Sequence, residues 1–437
     1  MDGGVEVARG EWPALEDLAA ALQRGGALGV GQPLAIVPLD RFDPDEGRLR
    51  GQVACYTVGG TIRAIAARSC GLATLPDSLT RLSGLQLLDL TGNRLAALPE
   101  AFGHLRHLRR LYLDENQLAA LPESIGACAD LEELHVDANR LTALPESIGG
   151  LARLAHLSAH RNRLARLPEA LWRLARLRVL SVGENPLAAL PAALGELPNL
   201  AQLYVHGSGL TALPESIGRL TALETLDAAH NALVALPASF GDLRQLRSFL
   251  YLSNNRLTAL PDSLGRLRDL TYLNATHNRL TGLPESIGEL GRLEELRLYN
   301  NRLTALPATL GRLTRLRELH LMSNELTTLP ETIGELASLR ELRASDNRLD
   351  ALPASIGDLA SLTHLDLRNN RLTVLPETLG NLGNLTQLDL RANRLVALPA
   401  GLGALPKLEK LDLRWNKLAS LPDWVRQLED RGCAVLR

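Results

Sequence analysis

The sequence is short of cysteine. Cys55, Cys70, Cys128 and Cys433 are its four cysteines, with no C-x-x-C pair among them, so neither a disulfide framework nor a cysteine zinc site is indicated and reduced thiols are expected. Lysine is scarce as well. Lys407, Lys410 and Lys417 are the only lysines among 47 basic residues, which, with abundant alanine, fits a GC-rich bacterial gene. A net charge of −2 with signs interspersed leaves no electrostatic footprint for nucleic acid or an anionic membrane, and both are excluded as partners. No stretch approaches the roughly 20 apolar residues of a membrane helix, and the start, from Met1 to Gly10, lacks the charged and apolar regions of a secretion signal. A cytoplasmic protein is expected. Phosphate-loop chemistry has no G-x-x-x-x-G-K-[ST] to work with, and Gly207-Ser208-Gly209 misses the G-x-S-x-G nucleophile pattern.

What is abundant is a leucine-rich unit that returns at a fixed spacing. One proline carries the register, at 76, 99, 122, 145, 168, 191, 214, 237, 261, 284, 307, 330, 353, 376, 399 and 422, always after leucine. Every interval is 23 residues except Pro237 to Pro261, which is 24. Such a period means a solenoid, because one unit cannot bury its apolar face without a neighbour. In the unit beginning at Leu293, the alternation around Leu296 and Leu298 points those leucines inward and Arg297 and Tyr299 outward, as in a short strand. Asn301 can satisfy turn groups with both amide donors and its carbonyl, and stacking makes it a ladder. Pro307 fixes φ at the first position of a helical turn, where the return path should begin. Fourteen units keep the asparagine; Cys70 and Ser208 replace it in the first and seventh.

The segments Leu144-Pro-Glu-Ser-Ile-Gly-Gly-Leu151 and Leu283-Pro-Glu-Ser-Ile-Gly-Glu-Leu290 give the chain its resemblance. It resembles the leucine-rich repeat family, in particular the 23-residue class with L-P-x-x-I-G-x-L found in bacterial proteins, plant intracellular Ras-group-related proteins and animal signalling scaffolds. The resemblance covers residues 62–425. It implies an α/β leucine-rich repeat solenoid with a curved parallel sheet on the concave side and short helical or 3₁₀ turns on the convex side. It further implies protein or peptide binding on the concave sheet, and by analogy alone a secreted effector.

Three parts are expected: an N-terminal cap over 1–61, sixteen repeats over 62–425 and a C-terminal cap over 426–437. In the first, Leu15, Leu18, Ala19 and Leu22 share a helix face ended by Gly25, Gly26 and Gly29; strands follow over 34–39 and 52–58, separated by a turn over 43–47. This is a small α+β cap. At the other end Trp424, Val425 and Leu428 form an amphipathic turn before 432–436. These ends leave no room for a separate catalytic domain of ordinary size.

Function is therefore sought on outward strand positions, which packing leaves free. Tyr112, Tyr204, Tyr251, Tyr272 and Tyr299 lie there, five of six tyrosines, as do eight of ten histidines: His135, His156, His160, His206, His230, His277, His320 and His364. Exposed amphipathic rings gathered on one face are what binding surfaces use, although strands favour aromatics in any case. The expected partner contacts are Tyr112, His135, Tyr204, His206, Asp227, Tyr251, Tyr272, Arg297, Tyr299 and His320. Regularity breaks here too. Gly183 and Pro186 alter one unit, Gly207, Ser208 and Gly209 the next, and the segment from Leu246 to Leu252 carries the extra residue, expected to form a bulge in its strand. The repeated Asp366-Leu-Arg368, Asp389-Leu-Arg391 and Asp412-Leu-Arg414 should neutralise one another.

A second reading, from a different class, is a metal-dependent enzyme acting on a peptide held in the same groove. It rests on Asp137, His160 and His206 at equivalent strand positions, Gly183 standing between the two histidines, with His135, His156 and His230 as further ligands. Strands lie about 4.8 Å apart, so long side chains two strands apart can converge, and imidazole with carboxylate suits a divalent transition metal such as Zn, Fe or Cu.

Overall fold

The computed structural model describes residues 7–29, 35–36 and 53–437. The chain divides into two compact units, Met1–Gly209 and Leu210–Arg437. In the first, helix α1 (Trp12–Arg24) is followed by β1 (Ala35–Ile36), β2 (Val53–Val58) and β3 (Thr61–Ala67). One strand per repeat then follows: β4 (Leu87–Asp89), β5 (Arg110–Tyr112), β6 (Glu133–His135), β7 (His156–Ser158), β8 (Val179–Ser181) and β9 (Gln202–Tyr204). β2 and β3 are antiparallel, and from β3 onward each strand pairs in parallel with the next. The second unit repeats the scheme through β10 (Thr225–Asp227), β11 (Phe249–Tyr251), β12 (Tyr272–Asn274), β13 (Glu295–Arg297), β14 (Glu318–His320), β15 (Glu341–Arg343), β16 (His364–Asp366), β17 (Gln387–Asp389) and β18 (Lys410–Asp412). It closes with helix α2 (Trp424–Asp430) and β19 (Ala434–Leu436), the last pairing in parallel with β18.

The strand of each repeat, β4 to β18, is three residues long with an inward leucine at its centre. In β13, Leu296 is fully buried while Glu295 and Arg297 stay partly exposed. The return path is a 3₁₀ turn such as Ala308–Arg312. Pro307 stands one residue ahead of that turn rather than at its first position. Its backbone is extended, with φ −68° and ψ 148°, and its carbonyl accepts the Leu310 N–H at 3.1 Å. Proline suits this place for the expected reasons, a fixed φ and no donor to satisfy.

The asparagine ladder forms as its chemistry requires. Asn301 Nδ2 donates to the carbonyls of Ala275 and Leu298, both at 2.9 Å, while its Oδ1 accepts the Leu280 N–H at 3.0 Å. Each side chain thus ties its own turn to the preceding repeat. At Ser208 the shorter side chain cannot reach so far: its hydroxyl lies 3.4 Å from the Val182 carbonyl, and the Leu187 N–H, which an asparagine would have captured, turns to the Asn185 carbonyl at 2.8 Å.

The extra residue between Pro237 and Pro261 does not bulge its strand. Thr225, Leu226 and Asp227 pair in unbroken register with Phe249, Leu250 and Tyr251. The addition is absorbed just ahead, where the Arg247 and Ser248 N–H groups both donate to the Glu224 carbonyl, at 3.4 and 3.2 Å. A loop can lengthen there, whereas a slip inside the strand would turn Leu250 outward.

At the start of the chain α1 buries Ala14, Leu15, Leu18, Ala21 and Leu22, so Ala21 takes the place expected of Ala19. Gly25 ends the helix against the first repeat, since a Cβ there would meet the Cys70 carbonyl at 2.7 Å. The expected turn over 43–47 and most of the 34–39 strand lie outside the described residues; Ala35–Ile36 pairs in parallel with β2. At the other end α2, with Val425 and Leu428 buried, starts at Trp424, just before the expected boundary. Among the described residues no helix is long and apolar enough to cross a membrane.

Candidate functional site

Outward strand positions in the first unit carry a run of rings. Tyr112 ends β5, His135 ends β6 and His156 begins β7, and their centroids lie 4.9 and 4.4 Å apart in turn. The Tyr112 hydroxyl donates to Glu133 at 2.7 Å. Burial disfavours the imidazolium and lowers the pKa of both histidines, of His156 also because His135 is beside it. Tyr204, at the end of β9, donates to Gln202 Oε1 at 3.1 Å.

Two residues beyond the strands, Asp114 and Asp137 cap backbone rather than face solvent. The Asp137 N–H donates to Asp114 Oδ1 at 2.7 Å, and the His160 N–H donates to Asp137 Oδ1 at 2.7 Å. Ser158 Oγ also donates to both Asp137 oxygens, at 2.7 and 2.8 Å. Burial first, and the neighbouring Asp137 carboxylate second, push the Asp114 pKa up to about 7. A raised acid pKa means that folding favours the protonated form: the associated stability is present below the unfolded value and is lost as pH rises towards 7. Asp114→Asn, which keeps the accepting oxygen, should therefore raise stability above pH 7 and give little gain near pH 4. Urea unfolding of both proteins across that range checks this; a gain independent of pH would contradict it.

Capping removes Asp137 from the imidazoles it was expected to join. Its one methylene places the carboxylate on the His160 N–H of the next repeat, where that N–H and the Ser158 hydroxyl both donate to it. Glu184 stands beside the histidines instead. The His160 and His206 rings lie 4.9 Å apart, His160 Nε2 is 3.6 Å from Glu184 Oε1, and one ligating atom of each of the three residues lies within 4.8 Å of the others. Gly183 has the spacing role read from the sequence, because a Cβ there would meet the His206 ring at 2.9 Å. His160 has its pKa lowered by burial and then by His206. His230 belongs to the second unit, exposed on a turn with φ +54°, its ring 3.4 Å from Asn254 Nδ2.

The second unit's rings are packed together. Tyr251 and Tyr272 lie 5.2 Å apart, and Phe249 lies 5.8 Å from the first and 5.6 Å from the second. The Arg297 guanidinium sits 5.7 Å from the Tyr272 ring centre and is also paired with Glu295. Asp227 is in register with Tyr251, and its Oδ1 accepts the Ala229 N–H at 3.0 Å. Burial raises the pKa of Tyr251 and Tyr272, with Asp227 adding to the first. Phe249 was missed as a site residue, yet it is 45 % exposed. Its signal was the inserted segment, which sets phenylalanine at an outward position. Tyr299 stacks edge-on with His277 at 5.4 Å. His320 differs from expectation: it is 6 % exposed, with Nε2 3.1 Å from Glu318. It stands in register between Arg297 and Arg343, whose longer side chains reach farther out. The aspartate and arginine columns do pair, as at Asp389 with Arg391 (3.0 Å) and Asp412 with Arg414 (2.7 Å).

A family model described as leucine-rich repeat region matches residues 192–274, 260–348 and 331–430, and one described as leucine rich repeat matches 68–118 and 129–187. A search of curated proteins gives no match. Among solved structures, a leucine-rich repeat protein of Leptospira interrogans is 31 % identical, with TM-score 0.71 over 85 % of this chain and 94 % of that one. A plant peptide hormone receptor in complex with RGF2 is 29 % identical, with TM-score 0.64 over 83 % of this chain and 63 % of its own. YopM from Yersinia enterocolitica is 28 % identical, with TM-score 0.62 over 83 % and 75 %. The repeat model alone spans more than half of the sequence, and the register of strands, 3₁₀ turns and asparagines agrees with it: the chain belongs to the leucine-rich repeat family.

Proposed function

We propose that this chain is a non-enzymatic recognition protein that binds a protein or peptide on its strand face, the concave side of a 23-residue-class array. The observation that carries the reading is the cluster of Phe249, Tyr251 and Tyr272 beside Arg297, four side chains of the kind that dominates binding energy, gathered at outward positions of three consecutive strands. A phenylalanine left 45 % exposed against two tyrosines gains little from folding and offers rigid apolar area to a partner. Asp227 and Tyr299 flank the cluster with polar atoms, and Tyr112, His135, Tyr204 and His206 offer a second set on the first unit. The plant receptor similar to this chain is in complex with RGF2, and its likeness supports a peptide as ligand. Buried, free cysteines and the shortage of lysine support a bacterial, cytoplasmic setting.

A photo-crosslinking residue in place of Phe249 should capture the partner in the native organism, while the same residue at Glu285, on a 3₁₀ turn, should not. Titration of the captured partner should then find Tyr251→Ala and Tyr272→Ala weaker by about 1 kcal/mol or more each, with unchanged melting temperature. A partner that binds both variants as tightly as wild type would remove this face as the interface.

A further inference from the structure

His160, Glu184 and His206 meet at a place where the repeat pattern is broken twice, and both breaks make room for them. At Gly183 a Cβ would stand 2.9 Å from His206 Cε1 and Nδ1; at Gly207, where φ is +63°, a Cβ would stand 3.1 Å from Glu184 Cγ. Ordinary side chains at these two positions would crowd the His206 imidazole and the Glu184 side chain at its Cγ. His160 Nδ1 is buried without a hydrogen-bond partner, so no hydrogen bond fixes the His160 ring from that side. Glu184 has divided duties: Oε1 faces His160 Nε2 at 3.6 Å, while Oε2 pairs with Arg161 Nε at 3.1 Å. Holding one carboxylate oxygen from outside is how a second shell aims the other at a metal.

We propose that His160, Glu184 and His206 form a binding site for a zinc-type divalent transition ion. Two imidazoles and one carboxylate are a ligand set such ions accept, and three protein ligands leave a fourth position for water or an atom of a bound partner. Tetrahedral coordination needs donors roughly 3.3 Å apart, so donors now within 4.8 Å must close in. Glu184, exposed on a turn with three side-chain torsions, supplies that movement. Another group of this kind among the described residues, Glu295, Glu318 and His320, is less suited. Arg297 already pairs with Glu295, and His320 is occupied by Glu318.

The test uses the full chain without a histidine tag, titrated with Zn²⁺ and with Co²⁺. One equivalent of metal should bind, and the cobalt form should show visible d–d bands of tetrahedral type without thiolate charge transfer. His160→Ala/His206→Ala should abolish the bands, and Glu184→Gln should weaken binding about tenfold or more. The paired change His135→Ala/His156→Ala, which removes the other adjacent imidazoles of this face, should leave it intact. Circular dichroism of each variant should match wild type, since all these side chains lie outside the leucine core. Substoichiometric uptake by the wild type overturns the proposal without any variant; so does metal retained by the His160/His206 double variant, or lost from the His135/His156 one.

Discussion

Leu296→Ala is expected to destabilise the chain by about 2–5 kcal/mol, measured by urea unfolding, against no more than about 0.5 kcal/mol for the exposed Arg302→Ala. Leu296 is fully buried, and leucine occupies the equivalent inward position of its neighbours, Leu273 and Leu319, also fully buried. The cavity could close only if adjacent repeats approached, and their hydrogen-bonded strands keep them apart. Leu298→Ala should fall at the lower end of that range, because alanine already stands at its equivalents Ala159, Ala228, Ala275 and Ala344, all fully buried. That column accommodates small side chains elsewhere in the chain. Equal losses for Leu296→Ala and Arg302→Ala would mean that the inward register is wrong.

Asn301→Ala should cost about 1–3 kcal/mol, since it strands one buried backbone N–H without a partner. That group is the Leu280 N–H; the Ala275 and Leu298 carbonyls, which Asn301 also serves, keep the amides of Asn278 and Asn324 as donors, at 3.2 and 3.0 Å. Asn301→Ser should lose less, because the natural Ser208 keeps its hydroxyl near a carbonyl while the abandoned Leu187 N–H finds the Asn185 carbonyl. Urea unfolding followed by circular dichroism separates the three proteins. If alanine and serine prove equally costly, local rearrangement of the kind seen at Ser208 is unavailable at Asn301; if alanine costs under about 1 kcal/mol, the ladder contributes little to stability.

The proline register, the inward leucines and the asparagines were legible because each is demanded anew by every repeat. Their chemistry is local: a leucine between stacked neighbours, or an amide within reach of turn carbonyls, needs no knowledge of distant residues. Gly183 could be read the same way, as a space between His160 and His206. Glu184 could not. It stands just before Asn185, at the position where the second repeat has Gly92 and others have Glu115, Ala138, Arg161, His230 and Trp415, and in all of these the backbone turns left-handed, with φ between +49° and +72°. Such a conformation disfavours L residues, and nothing in this mixture of side chains announces it. Stacking imposes it, by holding both flanks of the turn in the ladder, and the turn in Glu184's case carries a carboxylate back toward His160. Asp137 was misplaced for a related reason: the alternation said that it pointed outward, but not that one methylene would set its carboxylate on the His160 N–H. Likewise Phe249 gained its exposed place only because the added residue was absorbed before the strand rather than within it. Periodicity by itself determined the solenoid and which positions face the solvent, since those follow from burying one leucine row per repeat. Which of the outward side chains meet, and which are spent on backbone, was decided only by the tertiary structure, because the distances between neighbouring strands and the hand of each turn exist only once the repeats are stacked.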